Sequence, residues 1–296
     1  MMRYPLAFAA LIASTAPALS QSFPEWVTAD GRLALGYSDR VPGADGFLVG
    51  DATLRFAPVF LGRFGAELGL YGRADALDTP HETYGALTFD IGDNARLSAG
   101  VPRPAYDSFA VSALELSFPS LAIDRTGATR SAATNGAMFA GWLPYGVSFT
   151  NQTDRLRYAV SIHDASNVGA TVASIGAATD LGDWQLSGAL EIAWGTSTEV
   201  SGKVQAKGRL GPVTGGLGYY SPGAVGGSDL VEVFASVTPL DRLTLSAVVQ
   251  VPTDGTDATG GIAARYGFDD SAALSVGVAS DAGSDAVFNA FLDWRF

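Results

Sequence analysis

Along most of this chain apolar and polar side chains alternate in segments of about ten residues, the length of a tilted strand that crosses a bilayer. The last segment is the plainest. Ala286, Phe288, Ala290, Leu292, Trp294 and Phe296 take its even positions, while Asn289, Asp293 and Arg295 are odd. Successive strand side chains point to opposite faces, so a period of two gives each segment one apolar and one polar face. Five segments precede a long interruption: Arg32–Asp39, Phe47–Phe56, Arg63–Ala74, Glu82–Ile91 and Ala95–Val101. Tyr145–Asn151, Leu156–Ile162 and Gly169–Thr179 follow it. The regular second half holds Trp184–Trp194, Ser201–Leu210, Val213–Tyr220, Leu230–Thr238, Arg242–Gln250, Gly260–Phe268, Ala272–Ala279 and Ala286–Phe296. That makes sixteen strands, joined at alternate ends by turns as short as Gly92-Asp93-Asn94 and Gly211-Pro212. Registers between Thr126 and Asp180 are the least defined. Ala133–Leu143 also reads as a strand there, so fourteen or eighteen strands stay open.

Two architectures use such alternation. A soluble sandwich buries one face of each sheet, whereas a transmembrane barrel puts one face in hydrocarbon and the other in water. Trp184, Trp194, Tyr219, Tyr266, Phe268, Trp294 and Phe296 sit near strand ends, where amphipathic rings favour a membrane interface, and this favours the barrel. Composition agrees. Hydrophobic residues make up 47% and mean hydropathy is +0.20, with no run near the 18 or so apolar residues of a membrane helix. The expected fold is therefore all-β, a transmembrane antiparallel barrel. Arg3, the apolar stretch Leu6–Ala16 and the small residues Ala18 and Ser20 read as an export signal over residues 1–20, leaving 21–296 as the barrel. Having no cysteine excludes disulfide and thiolate chemistry, and a net charge of −12 argues against nucleic acid as a partner.

Parity sorts the charged side chains. Arg32, Arg55, Arg73 and Arg96 face inward, as does Glu67, and Lys203, Gln205, Lys207 and Arg209 form one inward row. Facing lipid near the midplane, a lysine or arginine would cost about 2–4 kcal/mol, so that row must meet water. It either draws anions along the wall or keeps that face wet, and the second reading is preferred. Each arginine could equally pair with a wall acid such as Glu67 or Asp51. Only His81 and His163 are available for acid–base catalysis, both at expected outer strand ends where a solvated loop histidine is the simpler reading. No cofactor or metal motif is present, although Asp254 and Asp257 leave a loop-bound calcium ion open.

Between the fifth and sixth strands lies a segment, about 102–135, far longer than an ordinary connection. Tyr106, Phe109, Leu114, Leu116, Phe118 and Leu121 give it enough apolar content to pack. An export signal, sixteen strands, a long loop after the fifth, the segment Gly100-Val101-Pro102-Arg103-Pro104-Ala105-Tyr106-Asp107 and a terminal Phe296 together resemble the general trimeric porins of Gram-negative outer membranes, alphaproteobacterial type. The resemblance implies that this third external loop folds into the lumen and places acids opposite wall arginines. Asp107, Glu115 and Asp124 would be the loop acids, facing Arg32, Arg55, Arg73 and Arg96. It further implies a homotrimer in outer-membrane lipid, exported through the periplasm and assembled by machinery that reads Phe296. The implied function is passive diffusion of ions and small hydrophilic solutes. A sugar-selective channel would stack its solutes on inward aromatics, and parity offers only Tyr71, Tyr84 and Tyr220. A barrel enzyme and an adhesin are more distant alternatives.

Overall fold

The computed structural model describes residues 24–39, 45–223, 227–281, 283 and 285–296, so the expected export signal lies outside the described residues. The first five strands are β1 (Val27–Ser38), β2 (Gly46–Phe56), β3 (Phe64–Asp75), β4 (His81–Ile91) and β5 (Ala95–Val101). After the long loop come β6 (Tyr145–Gln152), β7 (Leu156–Ala165), β8 (Ala170–Leu181), β9 (Trp184–Trp194), β10 (Thr198–Leu210) and β11 (Val213–Pro222). The remainder are β12 (Leu230–Leu240), β13 (Leu243–Pro252), β14 (Thr259–Gly267), β15 (Ala272–Ser280) and β16 (Val287–Arg295). Each strand pairs antiparallel with its sequence neighbours, and β1 closes on β16 with Arg32 opposite Arg295 and Ser38 opposite Asn289. All sixteen expected segments are strands, and several run a few residues further than the alternation suggested. Closure explains the extension, since an added residue finds a ladder partner on a neighbouring strand, as Val27–Gly31 do on β2, and no edge of the sheet is left open.

Outside, the strands carry an apolar belt. Leu68, Leu87, Ile175, Leu190, Leu217 and Ile262 are all exposed, Leu87 by 73%. A continuous surface of this kind is not tolerated in water. Trp184, Trp194, Tyr219, Tyr266, Phe268 and Phe296 are exposed too, and Trp294 is half-exposed. Inside, residues of opposite parity are buried although many are polar or charged, because something fills the barrel.

That filling is the long connection, which runs over residues 102–144 rather than stopping near 135. It contains one turn of 3-10 helix at Ala105–Ser108 and four short α-helices: α1 (Leu114–Ser117), α2 (Pro119–Asp124), α3 (Thr126–Thr129) and α4 (Ala132–Ala140). The alternative strand Ala133–Leu143 is therefore largely helix. The Ser131 side chain accepts from the Ala133 amide at 3.1 Å as N-cap, and Gly141 ends α4 at φ 66°. An alanine-rich run between such a cap and a left-handed glycine favours helix over strand. Among the described residues no helix is long and apolar enough to cross a membrane.

Candidate functional site

The loop is built around buried charge. Asp107 is 1% exposed, and its carboxylate accepts from the Ser131 amide at 2.6 Å and from the Thr134 hydroxyl. Arg130 donates from Nε and Nη2 to Glu115 at 3.1 and 2.5 Å and lies over the Tyr71 ring at 4.2 Å. Burial works against the Arg130 cation, but Glu115, Tyr71, Asp107 and Asp51 outweigh it and hold the group well above the ordinary arginine value. Arg103 is likewise stabilised as a cation against burial, by Tyr84 and by its ion pair with Asp51. Its guanidinium stands 4.8 Å from the centre of the Tyr84 ring.

On one side the wall holds this loop by its backbone. Ser161, Ser174 and Ser187 accept from the amides of Ala105, Tyr106 and Ala110 at 2.9–3.2 Å. Glu191 accepts from the Ala132 amide at 2.8 Å and the Ser131 hydroxyl at 2.5 Å, and Glu232 takes the Ala113 amide at 3.0 Å. Strand register explains how these residues converge. Ser98, Ser148, Ser161, Ser174, Glu191 and Ser201 stand opposite one another across successive strands from β5 to β10, a single polar rung around the wall. Wall glycines make room for the loop's rings: a Cβ on Gly176 would lie 2.2 Å from Phe109, and one on Gly261 2.7 Å from Phe118. In an inward strand position, glycine allows this close approach.

The opposite wall is also bonded to the loop. Arg32 donates to the carbonyls of Glu115 and Leu116 at 2.6 and 3.1 Å, while pairing with Asp293 at 2.9 Å. Arg73 pairs with Asp124 at 2.8 Å and donates to the Ser120 carbonyl at 3.2 Å. Beside these contacts Ile123 and Met138 pack with Phe47, Tyr71, Tyr84 and Phe291 in one apolar cluster. The loop thus reaches strands on both sides of the lumen. Where opposed charges were expected across a gap, Asp124 and Arg73 touch directly, Glu115 meets a loop arginine, and Asp107 faces the loop interior.

Space remains on the short-turn side of the loop, in two adjoining cavities. One, of about 680 Å³, is lined by Arg32, Arg55, Arg96, Glu67 and Glu115 among four carboxylates and five arginines. Its charges are largely paired: Arg55 with Glu67 at 2.9 Å, Arg96 with Asp90 at 2.6 Å, and Arg103 with Asp51. The other, of about 530 Å³, is lined by Lys207 and by loop residues from Ser108 to Ser117. Arg73 and Arg209 line neither cavity.

Two expectations change, those for Lys203 and His163, and the sugar-channel alternative loses two of its three inward rings. Lys203 is 5% exposed, its Nζ donating to the Thr129 carbonyl at 2.7 Å and lying 4.4 Å from the Tyr106 ring centre, so it clamps the loop instead of keeping the wall wet. His163 is 1% exposed and donates from Nε2 to the Pro102 carbonyl at 2.9 Å; inward parity and the loop's root cover it, so it is not a solvated loop histidine. The faces of Tyr71 and Tyr84 are taken by Arg130 and Arg103, which removes them as a stacking track for sugars. His81, by contrast, is exposed, with Nδ1 2.7 Å from the Thr79 carbonyl. Among the described residues no cluster of three or more metal-ligating side chains occurs, and Asp254 accepts from the Thr256 amide and hydroxyl at 3.0 and 2.8 Å.

Sequence reasoning missed Arg103, Arg130, Glu191 and Glu232. Glu191 carried a usable signal, an acid on an inward face that must find a partner when covered. The partners of the two arginines depend on the loop's folded path, which no periodicity encodes.

Neither a protein-family model nor a curated protein matches this sequence. Solved structures do resemble it. A triply substituted Rhodopseudomonas blastica porin superposes at a TM-score of 0.70 with 18% identity, over 91% of this chain and 100% of its own. Another variant of the blastica porin gives 0.71 over the same shares, also at 18% identity. A likeness of this extent at such low identity establishes architecture: the chain has a porin-like fold, a closed antiparallel barrel of sixteen strands.

Proposed function

We propose that this chain is an outer-membrane porin that passively conducts ions and small hydrophilic solutes. The observation that carries the reading is the pair of charged cavities beside a loop inside a barrel whose outer face is apolar. Charged groups around a confined aqueous space, with low-dielectric walls behind them, focus the field on a permeating ion. Apolar solutes are disfavoured, because they displace ordered water without replacing its hydrogen bonds. With the loop bonded to both walls, the passage is narrow and admits only small solutes.

In this reading Glu115, Arg32, Arg55, Arg96 and Glu67 line the path and tune its selectivity, while Asp107, Asp124, Arg73 and Lys203 hold the loop in place. Residues 1–20 act as the export signal, Phe296 is read by the barrel-assembly machinery, and the protein works as a homotrimer in outer-membrane lipid. Catalysis has no support, since His163 is buried on a backbone carbonyl and His81 stands exposed at the start of β4. Swelling of liposomes that contain the refolded protein, in isosmotic solutes of graded size, tests the proposal. Fast swelling with the smallest sugar alcohols and a steep fall with size are expected. No swelling with any solute rejects it. A band that survives SDS at room temperature and shifts on boiling checks the trimer.

A further inference from the structure

The two cavities differ in charge in a way that their shared position does not require. Against the paired charges of the first, the second is lined by Arg157, Lys207, Arg265 and Arg295 and by no carboxylate. Among the described residues only Arg265 of these four cations is paired, with Asp293 at 3.2 Å, and that carboxylate is 0% exposed and shared with Arg32. Among the described residues the side chains of Arg157, Lys207 and Arg295 have neither an ion-pair nor a hydrogen-bond partner, and all three are exposed to the lumen. Two wall acids beside the loop are spent on it: Glu232 on Ser112 and Ala113, Glu191 on Ser131 and Ala132. Thr214, Ser236 and Ser275 add hydroxyls to the lining. In a chain of net charge −12, this half of the lumen is a cationic recess.

Resting on the channel reading, we propose that this recess is an anion-binding subsite, which takes small solutes carrying a carboxylate or a phosphate. Arginine forks match both groups bidentately, and lysine adds a mobile point charge. Hydroxyls satisfy the oxygens that the cations leave. A volume of 530 Å³ suits a small metabolite-sized anion with its remaining water. The subsite holds the anion on the short-turn side of the loop and raises its local concentration there.

The test compares the wild-type protein with Arg157→Gln/Lys207→Gln and with Arg63→Gln/Arg155→Gln. The second pair removes the same charge from exposed turns outside both cavities. Heat-modifiable mobility on SDS gels establishes that all three are folded. In bilayers under a tenfold KCl gradient, the recess variant is expected to lose at least threefold in chloride-over-potassium permeability, and to lose block of chloride current by malonate and by inorganic phosphate. The turn variant keeps both. Block by one probe alone assigns the subsite to that oxyanion. Equal behaviour of the two variants overturns the proposal. Equilibrium dialysis of labelled malonate and phosphate against detergent-solubilised protein reads the subsite without any current. Saturable uptake that the recess variant lacks supports it even if the protein conducts nothing, an outcome that would reject the channel alone. Absence of saturable uptake together with unchanged permeability rejects the subsite alone.

Discussion

Arg130 joins three parts of the lumen: it pairs with Glu115, lies over Tyr71 and approaches Asp51 at 3.9 Å. Its side chain is 2% exposed and that of Glu115 16%, so removing the cation strands a largely buried carboxylate. Breaking one partner of a buried pair costs about 3–5 kcal/mol. Arg130→Gln is therefore expected to loosen the loop and leave the barrel intact. Hydrogen exchange would show amides of residues 105–135 losing protection while strand amides keep theirs; unchanged loop protection contradicts the assigned role. Glu115 and Asp107 are expected to part company in a selectivity measurement. Glu115 lines a cavity, so Glu115→Gln shifts the reversal potential toward anions. Asp107 is spent on Ser131 and Thr134, so Asp107→Asn leaves the potential unchanged but costs about 1–3 kcal/mol of loop stability for an unsatisfied buried donor. The sequence grouped the two acids because both lie on the loop. Their separation depends on side-chain neighbours that only the folded loop brings together.

The loop and the strands that hold it differ in how much of them can be read in advance. Parity alone assigns the inward face of each strand, and Tyr71, Tyr84 and Tyr220 are inward as parity requires. The polar rung from Ser98 to Ser201 is not readable that way, because it needs the register of several hairpins at once. Nor are the helices of the loop, which at four to nine residues are too short to display a period. Gly176 shows the consequence of their packing. Gly176→Val would drive a side chain into Phe109. The expected result is a loop that chymotrypsin cuts in liposome-embedded protein under conditions where the wild type resists, with heat-modifiable mobility retained. Equal resistance in both proteins would mean that Phe109 does not anchor the loop.

Taken whole, the barrel separates two solvents. The exposed leucines and isoleucines of the strand faces, such as Leu87 and Ile262, point outward, and the charges that line the two cavities point inward. That division was legible because a period of two repeats through every strand, whereas an even count alone left fourteen and eighteen strands open beside sixteen until Ala133–Leu143 proved largely helical. Cavity shape and charge were not legible, because they depend on where the loop rests. The account stands on water-filled continuity past that loop, and single-channel recording in planar bilayers measures it most directly. The purified, refolded protein is expected to insert in discrete steps of small, uniform conductance that grow when Gly176→Val loosens the loop. Silent bilayers with protein that has verifiably inserted would contradict it.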